Sequence, residues 1–228
     1  VSLVGSFGSA VAKRLAPGVT GPAVRDILER AIDGAGPIPG AARSADTQLL
    51  RANGNVNKAI ESLIDNHLRL AGAQGFLTNI GGLVTMAVTM PTNLAAVALI
   101  QCHLAASIVH LRGYSLDRPE VRDAILVCLL DKDARKSLSK ETGSTISPAV
   151  LLNAGPSPER SEKIARAVTG QLLAGVGGKR VASFVARRIP VLGGAVGGFG
   201  DALATRRIGL DTAELPDNPR RQIVTDLT

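Results

Sequence analysis

Three polar side chains sit inside an otherwise apolar run: His103, Ser107 and His110, at positions i, i+4 and i+7. That spacing places them on one face of a helix. Two imidazoles on one face are the beginning of a metal site, but zinc takes three or four protein ligands, so other helices would have to supply the rest. His67 is the one further histidine, with Asp65 or Asp123 as acidic candidates. A Ser–imidazole pair could instead serve a hydrolase, with Ser107 as nucleophile and His103 or His110 as base. No G-x-S-x-G elbow accompanies it and no HExxH or paired-cysteine pattern supports a metal. The reading these residue types favour over both is histidines making hydrogen bonds in a tight helical core or at its rim. The chemistry-bearing residues therefore form a polar cluster (His67, His103, Ser107, His110) with no catalytic assignment, no metal and no implied cofactor.

The run GVGGKR at 175–180 places glycines before Lys179, as phosphate-binding loops do, but lacks their G-x-x-x-x-G-K-[ST] spacing and any preceding strand. The second chemical signal is charge. The chain carries a net +7, and the window 160–209, with nine Lys or Arg against two acids, accounts for all of it. Lys179, Arg180, Arg187, Arg188, Arg206 and Arg207 are the candidate contacts for an anionic partner. Nucleic acid is a poor fit: four Phe, one Tyr and no Trp leave little for stacking on bases, and no reading motif is present. An anionic membrane surface uses the same charge with fewer requirements, because basic residues beside glycine-rich apolar helices combine lipid electrostatics with shallow insertion. Phe184 and Phe199 are candidates to insert, or to pack in the core.

These residues need helices to hold them, and the sequence is helical throughout. Pro22 to Asp33 has Val24, Ile27, Leu28 and Ile32 at helical spacing and Gly34 as a stop. A turn at 37–40 precedes a helix from Ala41 to Arg51, and Asn55 caps a helix to Gly72. From Leu70 to Leu111 there is no Asp, Glu, Lys or Arg. Pro91 divides this stretch into two arms, Phe76–Met90 and Thr92–Leu111. A membrane-spanning helix needs about 20 mostly apolar residues. The first arm is shorter, and the second holds Asn93, Gln101, His103, Ser107 and His110, which are costly in hydrocarbon. The pattern favours a hairpin buried in a folded domain over one in the bilayer.

Arg112-Gly113 reads as a helix end. Asp117, Pro119 and Glu120 read as a capping box opening a buried helix, 131–143 as a charged surface segment, and Ser157-Pro-Glu159 as a helix start running toward Gly175. Cys102 and Cys128 lie in apolar segments and read as reduced core thiols of a cytoplasmic protein. From Arg180 to Gly209 a second apolar hairpin with a central proline, Pro190, echoes the first. The expected fold is all-α, a compact domain built around two glycine-rich apolar helical hairpins. Its organisation is an N-terminal arm and short helix at 1–40, a helical domain at 41–210, and an irregular tail at 211–228.

The run GFLTNIGGL at 75–83, Pro91, HLRGYSLD at 110–117, RRIPVLGG at 187–194 and ATRRIG at 204–209 together resemble the EcsC protein family over roughly Ala41 to Leu210. The resemblance implies a bacterial all-helical fold whose biochemical role is unsettled, and brings no catalytic residues. Members often carry an acid near the hairpin proline, where this chain has Thr89-Met90 and Thr92-Asn93. Three functions are open. The leading expectation is a non-enzymatic, cytoplasmic, peripheral membrane protein at the inner face, binding anionic lipid or a membrane complex. The second is a soluble scaffold or cargo-like module that engages a protein partner or itself, and the third an enzyme or metal protein centred on His103 and His110.

Overall fold

A computed structural model describes residues 20–72, 92–186 and 193–219 of the chain. The arm Phe76–Met90, Pro91, Arg187, Arg188, Pro190 and the segments 1–19 and 220–228 lie outside the described residues. The element order is α1 (Gly21–Asp33), β1 (Gly34–Ala35), β2 (Ile38–Pro39), α2 (Ala41–Arg51), α3 (Val56–Gly72), α4 (Thr92–Leu111), α5 (Pro119–Leu129), α6 (Lys132–Thr142), α7 (Pro148–Leu152), α8 (Pro158–Ala186) and α9 (Gly193–Ala213). The fold is all-α, apart from one two-residue antiparallel pair that registers Gly34 with Pro39 and Ala35 with Ile38.

Helix α4 is the axis of the fold. It is apolar on most of its surface, with one polar face at His103, Ser107 and His110, so it is stable only when covered nearly all round, and α1, α2, α3, α5, α8 and α9 all pack on it. The window Leu94–Leu111 is long and apolar enough to cross a membrane, yet 83% of it is buried against the rest of the chain. Cys102, Leu104, Ala105, Ala106, Ile108 and Val109 are fully enclosed. Its neighbours meet it with small residues where they come closest. Helix α2 turns Ala41 and Ala45 inward, and α9 presents Gly209, where an added Cβ would lie 2.8 Å from Ile64 Cγ1 and 3.2 Å from Leu104 Cδ2.

The helix boundaries follow local chemistry. Asn55 Oδ1 accepts from the Lys58 amide at 3.0 Å and starts α3. Asp131 accepts from the Ala134 amide and Gly143 closes α6 in the left-handed region (φ +66°). Gly34 (φ +108°) ends α1, and Gly40 is obligatory, because a Cβ there would lie 2.6 Å from the Ile32 carbonyl oxygen. At α5 the expected Asp117 cap does not form. Arg118 is the N-cap, with no side-chain cap bond, and it pairs instead with Glu120. Helix α8 continues through Gly175–Gly178 to Ala186 rather than stopping at Gly175.

The segments on either side of the expected central domain share its core. Val24, Ile27 and Leu28 of α1 belong to the main hydrophobic cluster with α4 and α5. Beyond α9 the chain returns to the end of α4, where the Asn218 amide donates to the Arg112 carbonyl at 2.8 Å and its side-chain amide to the Gly113 carbonyl at 2.9 Å. Arg112 Nη1 pairs with Asp217 at 3.0 Å. The tail thereby serves the carbonyls of the turn after α4, while those of Ile108, Val109 and His110 accept from the amides of Arg112, Tyr114 and Gly113.

Candidate functional site

The polar face of α4 is a seam against α2. Successive turns of α4 meet successive turns of the segment 39–46: His103 Nε2 lies 2.9 Å from the Pro39 carbonyl oxygen and 3.3 Å from Ser44 Oγ. Ser107 Oγ donates to the Ala41 carbonyl at 3.2 Å, and His110 Nε2 contacts Asp46 Oδ1 at 3.0 Å. The i, i+4, i+7 spacing thus matches a second helix laid along the same face. Helix α3 adds His67, whose Nδ1 contacts the Leu63 carbonyl at 2.7 Å and whose Nε2 meets His103 Nδ1 at 2.8 Å. The two rings stack with centroids 5.0 Å apart.

Burial dominates the electrostatics of this pair. It holds the His67 pKa down to about 3, with repulsion from His103 acting in the same direction and the Leu63 carbonyl opposing it. His103 is also lowered, by burial first, against the Pro39 carbonyl. The pair is therefore neutral near pH 7.

The sequence brought His67, His103, Ser107 and His110 together as a cluster, and the structure places all four along one seam. Among the described residues their partners are not those of either chemical arrangement. Ser107 gives its proton to a backbone carbonyl rather than to an imidazole, so no nucleophile–base pair is assembled. Asp123 is committed elsewhere, accepting from Ser161 Oγ at 2.7 Å with Arg160 at 3.8 Å, and Asp65 is exposed. Among the described residues no group of three or more His, Cys, Asp or Glu is placed to hold a metal ion.

Beside the seam opens a groove of about 1160 Å³, walled by Pro39, Arg43, His110, Tyr114 and Asp117 among others. Tyr114 is buried, and its hydroxyl has no hydrogen-bond partner among the described residues. Burial, then the nearby Asp217 carboxylate, raises its pKa. Neither the groove nor Ser44, Asp46 and the Pro39 carbonyl stood out in the sequence. Backbone carbonyls leave no trace in residue types, and a short Gly-Pro turn gives no sign of what it covers.

The basic candidates separate into different roles. Arg207 points into the fold: its Nη1 and Nη2 donate to the carbonyls of Leu130 (3.2 Å) and Leu129 (3.1 Å). Arg135 serves Val127 (3.1 Å) and Cys128 (3.2 Å) in the same way. Together the two arginines satisfy four consecutive carbonyls at the end of α5 and place positive charge where the helix dipole favours it. Earlier in the basic window, Arg160, Lys163 and Arg166 face acids. Arg206, by contrast, is exposed, and no ion pair is formed by it among the described residues. It stands between Leu203 (52% exposed) and Leu210 (44% exposed), three residues after one and four before the other, so all three share one outer face of α9. Lys179 and Arg180 lie on α8, with side chains outside those described.

Comparison with protein-family models, with curated proteins and with solved structures finds no match.

Proposed function

We propose that this protein is a non-enzymatic, cytoplasmic helical protein that docks peripherally on an anionic membrane surface through the outer face of α9 and the adjoining basic residues. The observation that carries the reading is the exposed triplet Leu203, Arg206 and Leu210. A cation flanked by two exposed leucines suits the boundary between lipid headgroups and acyl chains, where the charge meets phosphate and the leucines lose water contact. Lys179, Arg180, Arg187 and Arg188 precede α9 in sequence and add to the positive charge of this part of the chain. Arg207 adds long-range potential while its donors stay on the α5 carbonyls.

The burial of α4 favours docking over spanning. Taking that helix into a bilayer would strip it from the six helices that cover it. The cation of Arg206 contributes about 1 kcal/mol near anionic lipid, as does each further basic side chain that reaches the surface. Two half-exposed leucines add on the order of 1 kcal/mol each. Contributions of that size give reversible rather than permanent attachment. The motif resemblance to the EcsC family, and a position at the inner face of a bacterial membrane, belong to the same proposal.

The test is charge reversal at the triplet. Arg206→Glu exchanges an attraction for a repulsion, a change of about 2 kcal/mol and hence about 30-fold in affinity for phosphatidylserine-containing vesicles. Leu203→Ser with Leu210→Ser should weaken binding further, with far-UV circular dichroism unchanged. Undiminished binding by Arg206→Glu would overturn the assignment of this face.

A further inference from the structure

The hydrogen bonds of the His67–His103 pair do not add up for two neutral rings. Four ring nitrogens make three short contacts in a row: Leu63 carbonyl to His67 Nδ1 (2.7 Å), His67 Nε2 to His103 Nδ1 (2.8 Å), and His103 Nε2 to the Pro39 carbonyl (2.9 Å). A carbonyl oxygen only accepts, so both outer nitrogens must carry hydrogen, and the inner contact needs one hydrogen more. That is three N–H protons, where two neutral imidazoles carry two. We propose that His67 and His103 form a single proton-binding site, and that the proton it takes up pins the β1–β2 hairpin to α4 through the Pro39 carbonyl.

The contact that fails without the extra proton is identifiable. His67 Nδ1–H keeps the Leu63 carbonyl, and His103 Nδ1–H donates across the short inner contact to His67 Nε2. His103 Nε2 is then a lone pair facing the Pro39 oxygen, and Ser44 Oγ, 3.3 Å away, turns its hydroxyl hydrogen toward it. The neutral state thus has a donor waiting at the one nitrogen that loses its own proton. Adding a proton at His103 Nε2 releases the Ser44 hydroxyl and makes the bond to Pro39. A second added proton has no place, because the two inner nitrogens share one hydrogen.

The charged groups on the surrounding elements do not replace this proton. Asp46 of α2 is turned to His110, while Asp33 of α1, Arg43 of α2 and Asp65 of α3 are exposed. Asp201 of α9 is buried, and neither ring's shift has a carboxylate among its causes. With no counter-charge on the pair among the described residues, burial keeps the extra proton off until the solution is acidic. Pro39 also lines the groove, so the proton bears on one of its walls.

Imidazole ¹⁵N–¹H spectra of the whole protein between pH 8 and pH 4, with amide hydrogen exchange over the same range, test this. The expected result is one coupled step, in which His103 Nε2 gains a proton while His67 Nδ1 keeps its own. With the intrinsic pH dependence of amide exchange divided out, the Ala35 and Ile38 amides should be at least 3-fold more protected below that step. Ser44→Ala, which removes the donor that serves the neutral state, should move the step to higher pH. Independent titration of the two rings, exchange that ignores the step, a step unmoved in Ser44→Ala, or acid unfolding before any step would each overturn the proposal.

Discussion

Replacing Gly209 with alanine sets two well-defined effects against each other at the point where α9 crosses α3 and α4. Alanine is the better helix former by about 1 kcal/mol, so at an open position the exchange would stabilise the protein by that amount. At Gly209 the new methyl would sit 2.8 Å from Ile64 Cγ1, 3.3 Å from Ile64 Cδ1 and 3.2 Å from Leu104 Cδ2. Overpacking of a tight core costs about 1–3 kcal/mol. The Ile64 contact involves the first carbon of its longer branch, so relief requires the whole side chain to move. The net expectation is destabilisation of about 1 kcal/mol, equivalent to about 2–4 °C in Tm for a chain of this size. Urea denaturation followed by circular dichroism reads it directly.

A double-mutant cycle then isolates the cause. Ile64→Ala alone should cost about 2–5 kcal/mol as a buried truncation. In that background Gly209→Ala should become neutral or stabilising, with a coupling of about 1–2 kcal/mol. If Gly209→Ala instead stabilises the otherwise native protein by about 1 kcal/mol and shows no coupling to Ile64, the close approach of α9 to α3 is wrong.

Gly40→Ala should be more damaging, by about 3 kcal/mol, because its Cβ would meet the backbone oxygens of Ile32 and Asp33 rather than a movable side chain; thermal unfolding measures it. Stability should fall on acidification. Burial holds His67 at about 3 and lowers His103 as well, while both titrate at about 6.5 once unfolded, so the neutral pair's contribution is complete above pH 6.5 and is lost as pH drops from there through the pair's folded-state step. The loss is on the order of 1 kcal/mol per pH unit, and His67→Gln should lose less stability than the native protein between pH 7 and pH 5 in urea unfolding. Burial pushes the thiols of Cys102 and Cys128 up to about 12 and about 11. Iodoacetamide at pH 8 should therefore leave both unmodified in the native protein and label both in urea; labelling without denaturant would contradict their burial.

The sequence made the helices legible because their signals are local. Asn55, Gly113, Ser157 and the spacing of Val24, Ile27 and Leu28 each act within a turn or two of the chain, and each is found in the expected place. What failed locally did so through competition from another partner. Glu120 is drawn to Arg118 and no capping box forms, while the glycines at 175–178 are tolerated inside α8 because a long helix carries them. The polar cluster was half legible. Periodicity placed His103, Ser107 and His110 on one face, and a core role was weighed for them, but their partners are backbone carbonyls at 39 and 41 and side chains at 44 and 46. Those belong to tertiary packing and carry no sequence mark. Charge was legible as a total and not as a surface: Arg206 and Arg207 are adjacent and look alike in sequence, yet a helix turns successive residues by about 100°. One faces solvent and the other closes the end of α5.

The central claim, docking on an anionic surface, is tested most directly by co-sedimentation of the native protein with phosphatidylserine-containing and with neutral phosphatidylcholine vesicles across a salt series. The account predicts binding to the anionic vesicles at low salt that weakens steadily as screening rises, and little binding to the neutral ones. Absence of binding to either vesicle, or binding that is indifferent to both lipid charge and salt, would contradict it.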